Sequence, residues 1–310
     1  MSTSTLPAPG TPSIEVTGLT KRFGRLRALD GLDLRVATGS VHGFLGPNGA
    51  GKSTTIRVLL GMYRRDGGTV RVLGADPARE ATAINRRVGY VAGDVALWPA
   101  LTGAQTLDAV AALRGARDRA REAELIEAFS LDPSKPVRSY SKGNRQKVAL
   151  VAALAAPVEL LILDEPNSGL DPLQQEVLVS AVGRASDDGT TVLLSSHVLE
   201  EVERLCSAVT IIKDGRTVET GALADLRRRR TSTLTLRPAP GDDGAALRAL
   251  GSLPPESVHR DPGGTLRAAV PAEDVPRVLR AVLDAGATEV TCAPPSLDDL
   301  FLRHYAVSAR

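Results

Sequence analysis

Residue types able to do chemistry gather at three places along this 310-residue chain. The first is Gly46-Pro47-Asn48-Gly49-Ala50-Gly51-Lys52-Ser53-Thr54, which matches G-x-x-x-x-G-K-[ST]. Its glycines let the backbone curl until several N–H groups point at one phosphate cluster, and the helix that follows adds its positive end. Lys52 would reach the β- and γ-phosphates, and the Ser53 hydroxyl would ligate Mg²⁺. The second place is Asp164-Glu165-Pro166, behind the aliphatic run 160–163. Asp164 should emerge at a sheet edge and hold Mg²⁺ directly or through water, while Glu165 points elsewhere and serves as general base for the attacking water. The third is His197, directly after the run 191–196, placed to contact the γ-phosphate and stabilise transition-state charge.

Positioning such groups requires a particular scaffold. The apolar runs 41–45, 160–163 and 190–194 have the length of buried strands, and each ends in polar residues. They alternate with helical stretches, the first at 54–60, which predicts a parallel sheet with its ligands beyond the carboxyl ends of the strands. Residues 105–113 and 119–129 carry apolar side chains at helical spacing and predict a helical subdomain, about 95–155, inserted between the first two places. Residues 209–220 read as a hairpin turning at Asp214-Gly215. The arginine run 227–230 is either a solvated helix end before a linker or a patch facing a partner or lipid. Beyond it, a strand at 231–236, a loop at 238–244 and an amphipathic helix at 275–285 predict a separate α+β domain over 231–310, without a phosphate or metal motif.

Composition narrows the class. The net charge of +2 is near neutral, so charge alone argues for neither nucleic acid nor an anionic membrane surface. Cys206 and Cys292 lie far apart, outside any ligand-spaced cluster, and read as two buried thiols of a cytosolic protein. Residues 1–13 are rich in Ser, Thr and Pro and read as a disordered tail, not a signal peptide. The greasiest stretch, 148–163, is interrupted by Pro157 and Glu159 and is too short to span a bilayer.

Two further stretches complete a family pattern: Tyr140-Ser141-Lys142-Gly143-Asn144-Arg145-Gln146, and Ser168-Gly169-Leu170-Asp171-Pro172 behind Glu165. With the glycine loop, Asp164-Glu165 and His197 they stand in the order and spacing of the ATP-binding subunit of ABC transporters, which residues 14–230 resemble. The resemblance implies a P-loop NTPase core with a parallel sheet, an N-terminal antiparallel β-part and the inserted helical subdomain. It implies ATP and Mg²⁺ as cofactors. Ser141, Gly143 and Asn144 resemble the signature motif, which opens a helix and caps the γ-phosphate bound by another subunit; free N–H groups and a positive dipole end suit that task. A homodimer packed head to tail around two ATP follows, with Asp171 in the loop crossing the interface. Phe23 sits where the family stacks an aromatic on adenine.

The pattern departs from the family's usual form at two points. Gly93 aligns with a glutamine that commonly touches Mg²⁺ and signals to the membrane subunit; Asp94 next door either substitutes for it or leaves the contact absent. The signature reads Ser-Lys-Gly-Asn where Ser-Gly-Gly-Gln is commoner. That variant, with Pro295-Ser296-Leu297-Asp298-Asp299-Leu300-Phe301-Leu302 near the end, resembles drug- and antibiotic-exporter ATPases of the ABC-2 type, whose permease is a separate chain. The expected protein is therefore an exporter ATPase on the cytoplasmic face of the membrane, held there by a multi-span permease, with no nucleic-acid partner. A ribosome- or DNA-acting relative and a low-turnover nucleotide-binding regulator are the competing readings.

Overall fold

The computed structural model describes residues 11–228, 231–239, 243–271 and 273–293. Most of the tail, Arg229 and Arg230 of the arginine run, residues 240–242 of the expected loop and the Pro295–Leu302 stretch lie outside the described residues. The chain divides into two compact units between Gly221 and Ala222.

The first unit opens with strands β1 (Ile14–Phe23) and β2 (Leu26–Val36), followed by β3 (Val41–Leu45), helix α1 (Lys52–Leu59) and β4 (Gly67–Val72). β1, β2 and β4 form an antiparallel sheet in the order β2-β1-β4, the N-terminal β-part that the family resemblance implies. Ser13, expected in the disordered tail, is instead buried. Its hydroxyl lies 2.8 Å from Thr191 Oγ1 and 3.0 Å from Thr38 Oγ1, so three hydroxyls satisfy one another at the start of β1.

The rest of the unit runs through α2 (Pro77–Arg86), β5 (Val88–Val91), α3 (Gly103–Arg114), α4 (Arg119–Ala128), α5 (Lys142–Leu154), β6 (Leu160–Asp164), α6 (Pro172–Asp187), β7 (Thr191–Ser196), α7 (Leu199–Leu205), β8 (Ala208–Lys213) and β9 (Arg216–Ala222). The main sheet has the order β5-β6-β7-β3-β8-β9, parallel from β5 through β8. Every residue of β3, β6 and β7 is buried, the signature of strands covered on both faces. Because β7 lies between β6 and β3, the chain after β7 leaves the sheet between the glycine loop and Asp164.

In the inserted subdomain, Thr102 caps α3 through a capping box with Gln105, and Asp118 caps α4. Leu107, Leu125, Phe129, Val137, Tyr140 and Val151 join these helices to α5 in one buried cluster. Among the described residues, no helix is long and apolar enough to cross a membrane.

The second unit holds α8 (Leu223–Arg228), β10 (Thr231–Arg237), α9 (Asp243–Ala249), β11 (Val258–Arg260), β12 (Leu266–Pro271), α10 (Val275–Asp284) and β13 (Thr288–Ala293). From β10 onward this is a β-α-β-β-α-β chain, folded as an antiparallel sheet in the order β11-β12-β10-β13, a ferredoxin-like topology. Leu234, Leu236, Leu266 and Val270 alternate on its covered face and pack against Val278 and Val282 of α10. The expectation of two buried thiols fails here. Cys292 is exposed because β13 is an edge strand with almost every side chain open to solvent. Cys206 is half-buried, and its burial pushes the thiol pKa up to about 12.

Candidate nucleotide site

The glycine loop leaves β3 and turns into α1 at Gly51, whose φ of +108° is open to glycine and to few other residues. The helix therefore begins at Lys52, two residues earlier than the apolar run suggested, so Lys52 and Ser53 stand in its first turn. No side chain caps this end, which leaves first-turn N–H groups for a ligand. Lys52 is buried, and its Nζ donates to the carbonyls of Gly46 (2.6 Å) and Pro47 (3.2 Å). Burial lowers its pKa, against the opposing pull of Glu165 and Asp164. Gly46 and Ala50 are buried under the loop, while Asn48 and Gly49 are exposed at its crest and Thr54 is half-buried.

Both carboxylates sit at the end of β6. Asp164 is buried and accepts a short hydrogen bond at Oδ1 from the hydroxyl of Ser195, its register partner on β7. Glu165 breaks the strand with a φ of +48°, and its N–H donates to Ser195 O at 3.0 Å. That turn sends its side chain to the glycine loop: Glu165 Oε1 lies 3.6 Å from Lys52 Nζ and 3.2 Å from His197 Nδ1. Lys52, Glu165 and His197 thus meet, as their three strand ends predict, and His197 remains half open to solvent.

A cavity of about 460 Å³ runs from Lys52 and Glu165 to an aromatic end, with Phe23, Ser53 and Asp214 also on its walls. Phe23 is 42% exposed, a large open surface for a phenylalanine. Tyr63 packs edge-on against its ring at 5.3 Å between centroids, and Lys21 Nζ lies 5.3 Å from the ring centre. Tyr63 and Asp214 are absent from the motif reading. The turn containing Asp214 was legible, with both Asp214 and Gly215 in the left-handed region, but its contacts were not. Gly215 N–H donates to Ala50 O at 3.0 Å, so the hairpin buttresses the glycine loop.

The remaining expected residues are elsewhere. Ser141 caps α5, its hydroxyl accepting from Asn144 N–H at 3.2 Å. A Cβ on Gly143 would overlap the carbonyl oxygen of Gly169, so only glycine permits this approach. Gln146, buried, donates from Nε2 to Pro166 O at 2.9 Å. Asp171 caps α6 by accepting from Gln174 N–H at 2.9 Å. None of Ser141, Gly143, Asn144 or Asp171 lines the cavity.

Gly93 lies beside Asp164, with room for a Cβ 3.5 Å from Oδ2. Asp94 is exposed and, among the described residues, has no hydrogen bond or ion pair with Lys52, Ser53, Asp164 or Glu165. The structure thus does not draw Asp94 into the cluster.

Comparison with known proteins identifies the family. A family model described as ABC transporter matches residues 29–168. The daunorubicin resistance ATP-binding protein DrrA3 of Streptomyces coeruleorubidus is 41% identical, over 94% of this chain and 95% of that relative. The Nod factor export ATP-binding protein I of Ralstonia nicotianae is 34% identical, over 96% of each. A solved ATP-binding subunit of an ABC transporter superposes with a TM-score of 0.65 at 31% identity, over 70% of this chain and 92% of that one. A dimeric bacterial ABC transporter cassette, 24% identical with a TM-score of 0.62, shares the fold over 68% of this chain and 98% of that one. The chain belongs to the ABC transporter family, as one of its ATP-hydrolysing, ATP-binding subunits.

Proposed function

We propose that this subunit powers an exporter of a drug, antibiotic or other hydrophobic compound through a separate multi-span permease. In this reading it works as a homodimer at the cytoplasmic face of the membrane. One observation carries the dimer: the chain places Lys52 and Glu165 on its own cavity, with His197 against Glu165, but sends Ser141 and Gly143 elsewhere. Half of the expected γ-phosphate shell must then come from a second copy. The export reading is supported by relatives named for daunorubicin resistance and for Nod factor export.

In the cavity, Phe23 would stack on adenine, and the loop from Gly46 to Thr54 would take the phosphates on its N–H groups. Lys52 would exchange the carbonyls of Gly46 and Pro47 for β- and γ-oxygens. The residues present fit Mg²⁺: Ser53 offers a hydroxyl, and Asp164 Oδ2 makes no hydrogen bond among the described residues. When bound, the ion neutralises charge on the phosphate oxygens. Glu165, held by its backbone and flanked by Lys52 and His197, would take the proton of the attacking water, with His197 beside it at the γ-phosphate. Ser141, Gly143 and Asn144 of the other copy would close the site, and Asp171 would lie in the crossing loop. The unit from residue 222 is an accessory domain in this reading.

The test mixes two defective chains, Lys52→Ala and Ser141→Arg. Each alone should be nearly inactive. Together they form dimers with one intact composite site, so hydrolysis should return in the mixture. Absence of any return would remove the head-to-tail arrangement, and failure to co-purify with a membrane protein would remove the permease.

A further inference from the structure

β7 does more than deliver His197. Ser195, two residues earlier, is fully buried between β6 and β3, opposite Asp164 in one ladder and Phe44 in the other. It is bound to both acidic residues of the site, to Asp164 through its side chain and to Glu165 through the backbone. Its hydroxyl donates to Asp164 Oδ1, and its carbonyl accepts the N–H of Glu165 at 3.0 Å. An ionised carboxylate on a strand end has a free torsion and two equivalent oxygens. The Ser195 bond removes that equivalence. It engages Oδ1 and leaves Oδ2 on the side of Gly93, where no side chain intervenes. No other side chain hydrogen-bonds to Asp164 among the described residues.

We propose that Ser195 is a positioning residue of this site: its hydroxyl fixes which Asp164 oxygen is offered to the nucleotide-bound divalent cation. The inference rests on the reading of Asp164 as a cation ligand. A group that orients a ligand from behind changes metal affinity even though it never touches the metal.

The experiment titrates Mn²⁺ into the full chain saturated with a non-hydrolysable ATP analogue, reading free Mn²⁺ by electron paramagnetic resonance. Ser195→Ala should weaken Mn²⁺ binding by about 10-fold or more, the usual effect of removing such a partner. Affinity for the analogue without metal should stay at the wild-type value. Ser195→Thr keeps the hydroxyl and should recover most of the loss, whereas Ile162→Val, a core change on β6, should leave Mn²⁺ affinity unchanged. If the alanine chain fails to fold, Ser195→Cys, of nearly equal volume and a weak donor, is read in its place. Wild-type Mn²⁺ affinity in the alanine or cysteine chain overturns the proposal, as does a threonine chain as impaired as the alanine one. Asp164→Asn is the separate arm: unchanged Mn²⁺ affinity there would instead overturn the cation-ligand reading itself.

Discussion

The cradle at Lys52 and the helix start at Ser141 use one device, the amino end of a helix, in opposite ways. At Lys52 that end faces inward, has no side-chain cap and closes over a buried lysine that bonds to its own loop. At Ser141 it faces outward, capped by its own serine, with Ser141 and Lys142 exposed. The first presents its free N–H groups to a cavity walled by its own chain. The second has its local hydrogen bonds satisfied and still contributes nothing to the cavity of its own chain. Local satisfaction and functional completeness are therefore different properties, and the second kind of surface makes chemical sense only against another molecule.

The contrast can be broken most severely at the cradle. Glu165→Gln should lower hydrolysis by roughly 10²–10⁴-fold, the contribution of a general base. It should also leave a dimer that persists with ATP, visible by gel filtration; a variant with normal turnover would remove Glu165 from the mechanism. At the other helix, Gly143→Ala must push Gly169 and α5 apart by the order of an ångström. A displacement of that size should reduce turnover about 100-fold, with ATP affinity of the single chain retained. Equal loss of binding and turnover would mean that the two regions are not separate.

Acid separates the regions by stability. His42 on β3 is buried, its Nε2 is 2.9 Å from Thr210 Oγ1, and burial lowers its pKa from 6.5 to about 4. Below pH 6.5 the unfolded chain takes up a proton that the folded chain refuses until about pH 4, so stability falls as pH drops through that window. The loss should approach about 3 kcal/mol by the lower end. Urea midpoints measured across the window should show it, and His42→Gln should flatten the curve. Hydrogen exchange should rise first in β3 and β8, before α5. The smallest effect is expected from Asp94→Ala: its exposed carboxylate is outside the cluster, so the Mg²⁺ dependence of hydrolysis should move by less than about twofold, as for an ordinary surface change.

Much of the site was legible because its parts are contiguous. The glycine loop, Asp164-Glu165 and His197 each fall at the end of an apolar run, and strand ends in a parallel sheet converge. What the sequence hides depends on strand order. Nothing in the runs states that β7 lies between β6 and β3, so the bond from Ser195 to Asp164 has no local signal. The same holds for Gly143 against Gly169 and for Tyr63 beneath Phe23. The start of α1 was misplaced because helical periodicity begins only with the apolar residues, whereas Gly51 turns the chain earlier. Cys292 was misread because burial of a thiol depends on whether its strand is central or at an edge.

The contact of Gly143 with Gly169 and the bond from Gln146 to Pro166 have one more consequence. They fasten the start of α5 to the short stretch of chain that leaves Glu165. In a head-to-tail dimer, the base acting on one nucleotide and the cap resting on the other would then ride on a single stiff piece of each subunit. The two ATP sites would need no long relay to sense each other, and release of phosphate at one would mechanically loosen the grip on the next.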